Sequence, residues 1–238
     1  MRGGSPAQLL LLEAVVILSI VWLACMCAHA SSSAKTRELV VAVCKEDLRW
    51  IDAVAKDYDK VTVYDKCDVR PAFRASNVHV QPVPNIGSCD YAFLTYIIDR
   101  YDTLPALVRF TKGTRGHVRP IKCTSRPDHV RCANELLEFK LHDWAFTHNR
   151  TQEFPFKTTV HDSMREWVQE DTLLSTDMYE DSACDVVLGG HFAATRDQIR
   201  NVSKDVYANL RAQQFFPNEE VDHYVERSWA TMFCTKRQ

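Results

Sequence analysis

Near its C-terminus the chain reads Asn218-Glu219-Glu220-Val221-Asp222-His223-Tyr224-Val225-Glu226-Arg227-Ser228-Trp229, its densest polar constellation. Pro217 precedes this stretch and three acids follow within its first turn, as suits the positive end of a helix dipole. Helical spacing sets Glu220, His223 and Arg227 along one side, with Glu219, His223 and Glu226 on an overlapping row. A carboxylate so placed, Glu226, Asp222 or Glu220, can deprotonate a hydroxyl nucleophile. His223 would orient that carboxylate, and Arg227 would hold it or a phosphate. A solvated helix face with first-turn acids gives the same pattern, and both readings stand at this point.

A second cluster is Asn85-Ile86-Gly87-Ser88-Cys89-Asp90. Asn85 to Gly87 suits a tight turn whose backbone N–H groups open onto a following helix, where the dipole favours an anion such as a diphosphate. An ordinary helix cap is the alternative. Asp65, at the end of an apolar run, suits hydrogen bonds from a nucleobase or ribose, or else a turn cap. Gly190 and His191 stand where a ligand would pass, although a lone histidine also serves structure. The nine histidines show no His-Glu-x-x-His spacing for a metal.

Chemistry of this kind needs a scaffold, and the apolar pattern supplies one. Leu39 to Val43 is a short β-branched run, the mark of a strand buried on both faces. Trp50, Ile51, Val54 and Ala55 then fall at helical spacing, which predicts a helix over 47–58 returning to a strand at Val61 to Tyr64. Such a βαβ unit implies a parallel sheet. A helix over 88–101, a strand over 106–110, an amphipathic helix around 160–168 and a strand over 185–188 follow. Phe192 to Thr195 reads as a lead into helices over 196–213 and 218–233. In an open α/β sheet, ligands bind beyond the carboxyl ends of the strands. That places Lys45 and Glu46, Asp65 and Lys66, Lys112 and Gly113, and Gly190 and His191 at the candidate site.

Composition bounds the function. Charged residues make up 25% and apolar ones 46% of 238, which is globular, and one domain is expected over 38–238. The net charge is −2 and the basic residues form no stripe, so no nucleic-acid partner is expected. Leu9 to Ala28 is apolar except for Glu13, and Ala28-His29-Ala30 fits a signal-peptidase site. Residues 1–30 therefore read as a signal peptide or as a hydrophobic helix anchoring a single-pass type II membrane protein, with 31–37 a short stem. Either places the domain in the endomembrane lumen, or outside the cell after cleavage. The sequons Asn149-Arg150-Thr151 and Asn201-Val202-Ser203 agree with that route. Seven of the nine cysteines lie in the domain, where Cys123 and Cys132 bracket a short polar segment and are the expected pair.

Val40 to Trp50, Val61 to Lys66, Val83 to Gly87, Tyr96 to Pro105, Phe192 to Arg196 and Glu220 to Trp229 resemble, in that order, a domain family of unknown function. Its members look like glycosyltransferases of the GT-A, nucleotide-diphospho-sugar-binding fold. The resemblance thus implies a mainly parallel α/β sheet flanked by helices. It also implies transfer of a sugar from a nucleotide-sugar donor to a hydroxyl of a glycan or glycoprotein acceptor. By that analogy Lys45, Glu46 and Asp65 hold the nucleoside, the turn from Asn85 through Gly87 to Asp90 faces ribose or donor sugar, and Lys112 meets the phosphates. The late helix, with Gly190, His191 and Arg227, serves the acceptor or a phosphate.

The chain departs from that pattern twice. Ser88-Cys89-Asp90 stands where family members tend to carry an Arg-Glu-like pair, and Phe110-Thr-Lys-Gly113 stands where GT-A enzymes often hold Mn²⁺ or Mg²⁺ with Asp-x-Asp. Asp57-Tyr58-Asp59 precedes the second strand, away from the expected site. Lys112 or Arg115 would then supply the positive charge. These departures also motivate the alternative of a catalytically inactive module that binds a glycan or a protein.

Overall fold

The structure is a computed structural model, and it describes residues 36–113, 161, 163–180, 190–214 and 219–233. Residues 37–238 form one compact unit, separate from residues 1–36. The leader, the Cys123 and Cys132 pair, the Asn149 sequon, Arg115 and the strand expected over 185–188 lie outside the described residues. Among the described residues no helix is long and apolar enough to cross a membrane.

Five strands make one sheet: β1 Arg37–Val43, β2 Lys60–Asp65, β3 Val78–Pro82, β4 Leu107–Lys112 and β5 Phe192–Thr195. Their spatial order is β3-β2-β1-β4-β5. β1 pairs in parallel with β2 and β4, β2 pairs in parallel with β3, and β5 alone is antiparallel, with Phe192 opposite Phe110. Helices cover the sheet: α1 Arg49–Val54, α2 Asp90–Arg100, α3 Met164–Asp171, α4 Asp177–Glu180, α5 Arg196–Ile199, α6 Lys204–Gln213 and α7 Glu219–Phe233.

The central strand β1 is apolar on both faces because helices lie on both. Leu39, Val41 and Val43 pack with Ile51, Ala55, Val61 and Val63 under α1, while Val40 and Ala42 face the larger core built by α2, α6 and α7. That larger core is aromatic. Phe110 lies 5.1 Å from Phe93 and 4.9 Å from Phe192 between ring centroids, and Trp229 stands 5.2 Å from Phe192. Rings of this size supply most of the apolar area that holds α2 and α7 to the sheet.

Two strands differ from the sequence reading. Phe192 to Thr195 is a strand, not a lead-in: Thr195 ends it and caps α5 in a reciprocal box with Gln198. β3 is mostly exposed and lacks the buried apolar run that marks its neighbours. The helix expected over 196–213 is broken at Asn201 to Ser203, and Asn201, the sequon asparagine, is exposed there. The amphipathic helix near 160–168 begins later, at Met164, where Ser163 accepts a hydrogen bond from the Glu166 N–H.

A disulfide joins Cys44 to Cys67, whose Cα atoms are 4.7 Å apart. It staples the loops that leave the carboxyl ends of β1 and β2, so the covalent link lies at the carboxyl end of the sheet.

Candidate functional site

Parallel register brings the ends of β1, β2 and β4 to one rim, and the antiparallel β5 begins at that same rim. After β1, Lys45 is exposed, while a Glu46 carboxylate oxygen accepts the Cys44 N–H at 2.6 Å. The Trp50 indole donates to the Gly113 carbonyl at 3.2 Å, tying this loop to the end of β4. Gly113 suits the junction, since a Cβ there would stand 3.1 Å from Glu46 Cβ.

Asp65 is 3% exposed, and its two oxygens accept the N–H groups of Cys67 at 3.1 Å and Arg70 at 2.7 Å. Its carboxylate therefore shapes the loop after β2. These contacts are those of a turn cap, one of the two roles its position suggested. Its neighbour Lys66 crosses the rim and donates to the Ile86 carbonyl at 2.8 Å. Burial lowers the Lys66 pKa, against the opposing pull of Cys89, Asp222 and Asp90.

The Asn85 to Asp90 segment makes the expected turn into α2. Asn85 is exposed, Gly87 has φ of +61°, and Ser88 follows at +46°. Left-handed backbone at two successive positions lifts the chain over the rim before the helix starts, and glycine meets this most cheaply. Asp90 begins α2 at 2% exposure, with Oδ1 accepting the Trp229 indole N–H at 2.7 Å. Burial raises its pKa to about 7, and the charges of Glu226 and Asp222 add to that rise against the Trp229 hydrogen bond and Lys112.

Lys112, at the end of β4, stands among these groups. Burial pulls its pKa down, and Cys89, Glu226 and Asp90 outweigh that and hold it above the ordinary value. Gly190, with φ of +65°, makes room for the pair beneath it, since a Cβ there would lie 2.5 Å from Cys89 Sγ and 2.8 Å from Lys112 Cε. Next to it His191 Nδ1 meets Thr111 Oγ1 at 2.7 Å. Burial lowers the His191 pKa to about 4, with Lys112 and Arg109 adding to the effect, so this imidazole is neutral at physiological pH. The Cys89 thiol is buried, and burial, with Asp90 adding to it, pushes its pKa well up.

On α7 the expected acids part company. Asp222 and Glu226 act electrostatically on Asp90, Asp222 also on Lys66 and Glu226 also on Lys112, which places both acids toward the rim. Glu226 also takes His223 Nδ1 at 3.8 Å, and Arg227 donates to the His223 carbonyl at 3.0 Å. Glu220 is fully buried and tied elsewhere: His161 Nδ1 stands 3.3 Å from it and the Tyr224 hydroxyl donates to it at 3.3 Å. His161 Nε2 in turn meets Asp171 at 2.7 Å. The contacts of Glu220 are those of a buried bracket between α7 and the α3 region. Sequence reasoning did not find His161 or Asp171, because 59 residues separate His161 from Glu220 and no local pattern records the pairing.

Two lysines, a buried carboxyl whose pKa is raised to about 7, two further carboxylates and a neutral imidazole thus share one rim beside a backbone turn. Such a set can neutralise an anion and accept a proton from a neighbouring hydroxyl. Among the described residues no group of three or more His, Cys, Asp or Glu side chains is arranged to hold a metal ion. No curated protein and no solved structure matches the chain. Over residues 39–238 it matches the family described as Protein of unknown function (DUF3431), a span that takes in every rim residue named above, and the chain belongs to that family.

Proposed function

We propose that the chain is a glycosyltransferase with a GT-A-like fold, moving a sugar from a nucleotide-sugar donor to a hydroxyl of a glycan or glycoprotein. The observation that carries this reading is the electrostatic grouping of Lys66 and Lys112 with Asp90, Asp222 and Glu226 at the carboxyl rim, next to the Gly87 turn. A pyrophosphate suits the lysine pair and the start of α2, and the sugar would then lie between that point and α7.

In this mechanism Glu226 or Asp222 removes the proton of the acceptor hydroxyl, whose oxygen attacks the anomeric carbon in line with the leaving group. The bond from that carbon to the diphosphate oxygen breaks, and Lys66 and Lys112 take up the negative charge that develops. A lysine at the end of β4 repels a divalent cation, so the lysines take the place that Mn²⁺ or Mg²⁺ fills in many enzymes of this fold. The Cys44 to Cys67 disulfide favours an oxidising lumen as the place of action, with an N-terminal anchor or a cleaved signal as the route.

Lys112 at the β4 end, in place of a carboxylate pair, also favours a second reading, a module that binds a glycan or protein without transfer. Thermal shift against uridine, guanosine and adenosine diphosphates, with and without Mn²⁺, followed by transfer assays with the matching nucleotide sugars, tests both. A ligand at 100 times its dissociation constant stabilises by about 2.7 kcal/mol. Binding with transfer upholds the enzyme, binding without transfer upholds the module, and no shift with any nucleotide removes the nucleotide-dependent reading.

A further inference from the structure

Gln214 follows the last turn of α6 and is fully buried, yet among the described residues neither its Oε1 nor its Nε2 has a hydrogen-bond partner. The amide lies directly on the turn into α2: a Cβ on Gly87 would stand 2.4 Å from Gln214 Oε1 and 2.8 Å from its Cδ. The helix beside it is 11 residues long, and Cys89 at its N-cap makes no side-chain cap hydrogen bond. A helix start without a side-chain cap and an amide with a donor and an acceptor both unused therefore adjoin at one place on the rim.

Burying such an amide is costly. A buried polar atom left without a partner has given up its hydrogen bond to water and gained none in return. A methionine would fill the same space and carry no such penalty. The amide makes physical sense if its partners arrive with a ligand. A primary amide is neutral, so it adds little attraction for phosphate, and its paired donor and acceptor match adjacent ring hydroxyls.

We infer that Gln214 is a specificity residue that hydrogen-bonds the hydroxylated ring of a sugar whose phosphates occupy the start of α2 and the lysine pair. The inference rests on the proposed nucleotide-sugar site and assigns the reading of the sugar to a residue outside the lysine and carboxylate set. Lys66 fixes the geometry through its bond to the Ile86 carbonyl at 2.8 Å, which holds the turn between the phosphate side and the amide.

The test compares the full chain with its Gln214→Met variant, using uridine and guanosine diphosphates and the corresponding glucose and mannose conjugates in thermal shift and calorimetry. The variant is expected to melt no lower than wild type and to bind the bare diphosphate equally well. It is also expected to lose tenfold or more of the affinity that wild type shows for the preferred conjugate. Unchanged conjugate affinity overturns the inference alone. A less stable or unfolded variant does so too, because the amide would then already have its partners within the folded chain. A wild-type chain that binds neither diphosphates nor conjugates removes the proposed function together with the inference.

Discussion

The Trp229 indole N–H donates to Asp90 Oδ1 at 2.7 Å, across 139 residues of sequence, and so bolts the C-terminal third of α7 to the first residue of α2. Asp222 and Glu226 lie two turns and one turn earlier on the same helix, so this bond sets the distance of both acids from the lysine pair. Trp229→Phe leaves a buried oxygen without its donor and should cost about 1–3 kcal/mol in urea unfolding. Asp90→Asn keeps an acceptor oxygen and should cost less.

Stability should also depend on pH through Asp90. Its carboxyl titrates near 7 in the folded chain against an ordinary 3.8, so between those values the folded state holds a proton that the unfolded state has released. Its contribution is therefore fully present below about 4 and declines as pH rises to 7, by at most about 1.4 kcal/mol per pH unit. Urea midpoints from pH 4.5 to 8 should show this decline in wild type relative to Asp90→Asn. Parallel curves for the two proteins would contradict it.

Neutralising the carboxylates one at a time should separate the acids. Glu226→Gln or Asp222→Asn should lower sugar transfer by about 100-fold or more for whichever is the base, with little change in melting temperature. Glu220→Gln should lower stability instead, since it breaks the bracket with His161, and should leave transfer largely intact in the folded fraction. Full transfer in all three variants would remove the mechanism.

Lys112→Gln and Lys66→Gln should each weaken binding of a nucleoside diphosphate about tenfold or more, and the wild-type affinity should fall with added salt. Chelation by EDTA should leave wild-type transfer unchanged. A strict requirement for Mn²⁺ would return the charge-neutralising role to a metal.

Gly190→Ala places a methyl against Cys89 and Lys112 at a left-handed backbone position, and should cost about 1–3 kcal/mol by overpacking alone. Reducing the Cys44 to Cys67 bond, which closes 23 residues, should cost about 3 kcal/mol, measured as the loss of urea midpoint in Cys44→Ser/Cys67→Ser. Asn201 is exposed and should carry a glycan when the chain is made in a secretory host, read as a mass lost in Asn201→Gln.

The parallel core was legible because β1 is apolar at five consecutive positions, Leu39 to Val43, as suits a strand covered on both faces. The shared end of β1, β2 and β4 was legible for the same reason, with Lys112 at the last of them, whereas Gly190 reaches that end because the antiparallel β5 begins there, a strand the sequence reading took for a lead-in. β3 was not legible, because its exposed residues need no apolar pattern. β5 was not, because four residues serve a strand or a helix approach equally well.

By itself the amino-acid order determined the layered α/β class and the end of the sheet where polar groups gather. Tertiary structure alone decided that Asp65 caps a loop, that Glu220 is locked by His161, that Cys44 pairs with Cys67, and that Gln214 lies on Gly87 with no hydrogen-bond partner among the described residues. The physical reason is range. Burial alternation and turn chemistry act over a few residues and are written locally, whereas hydrogen-bond partners and charge couplings are chosen by packing between segments far apart in the chain.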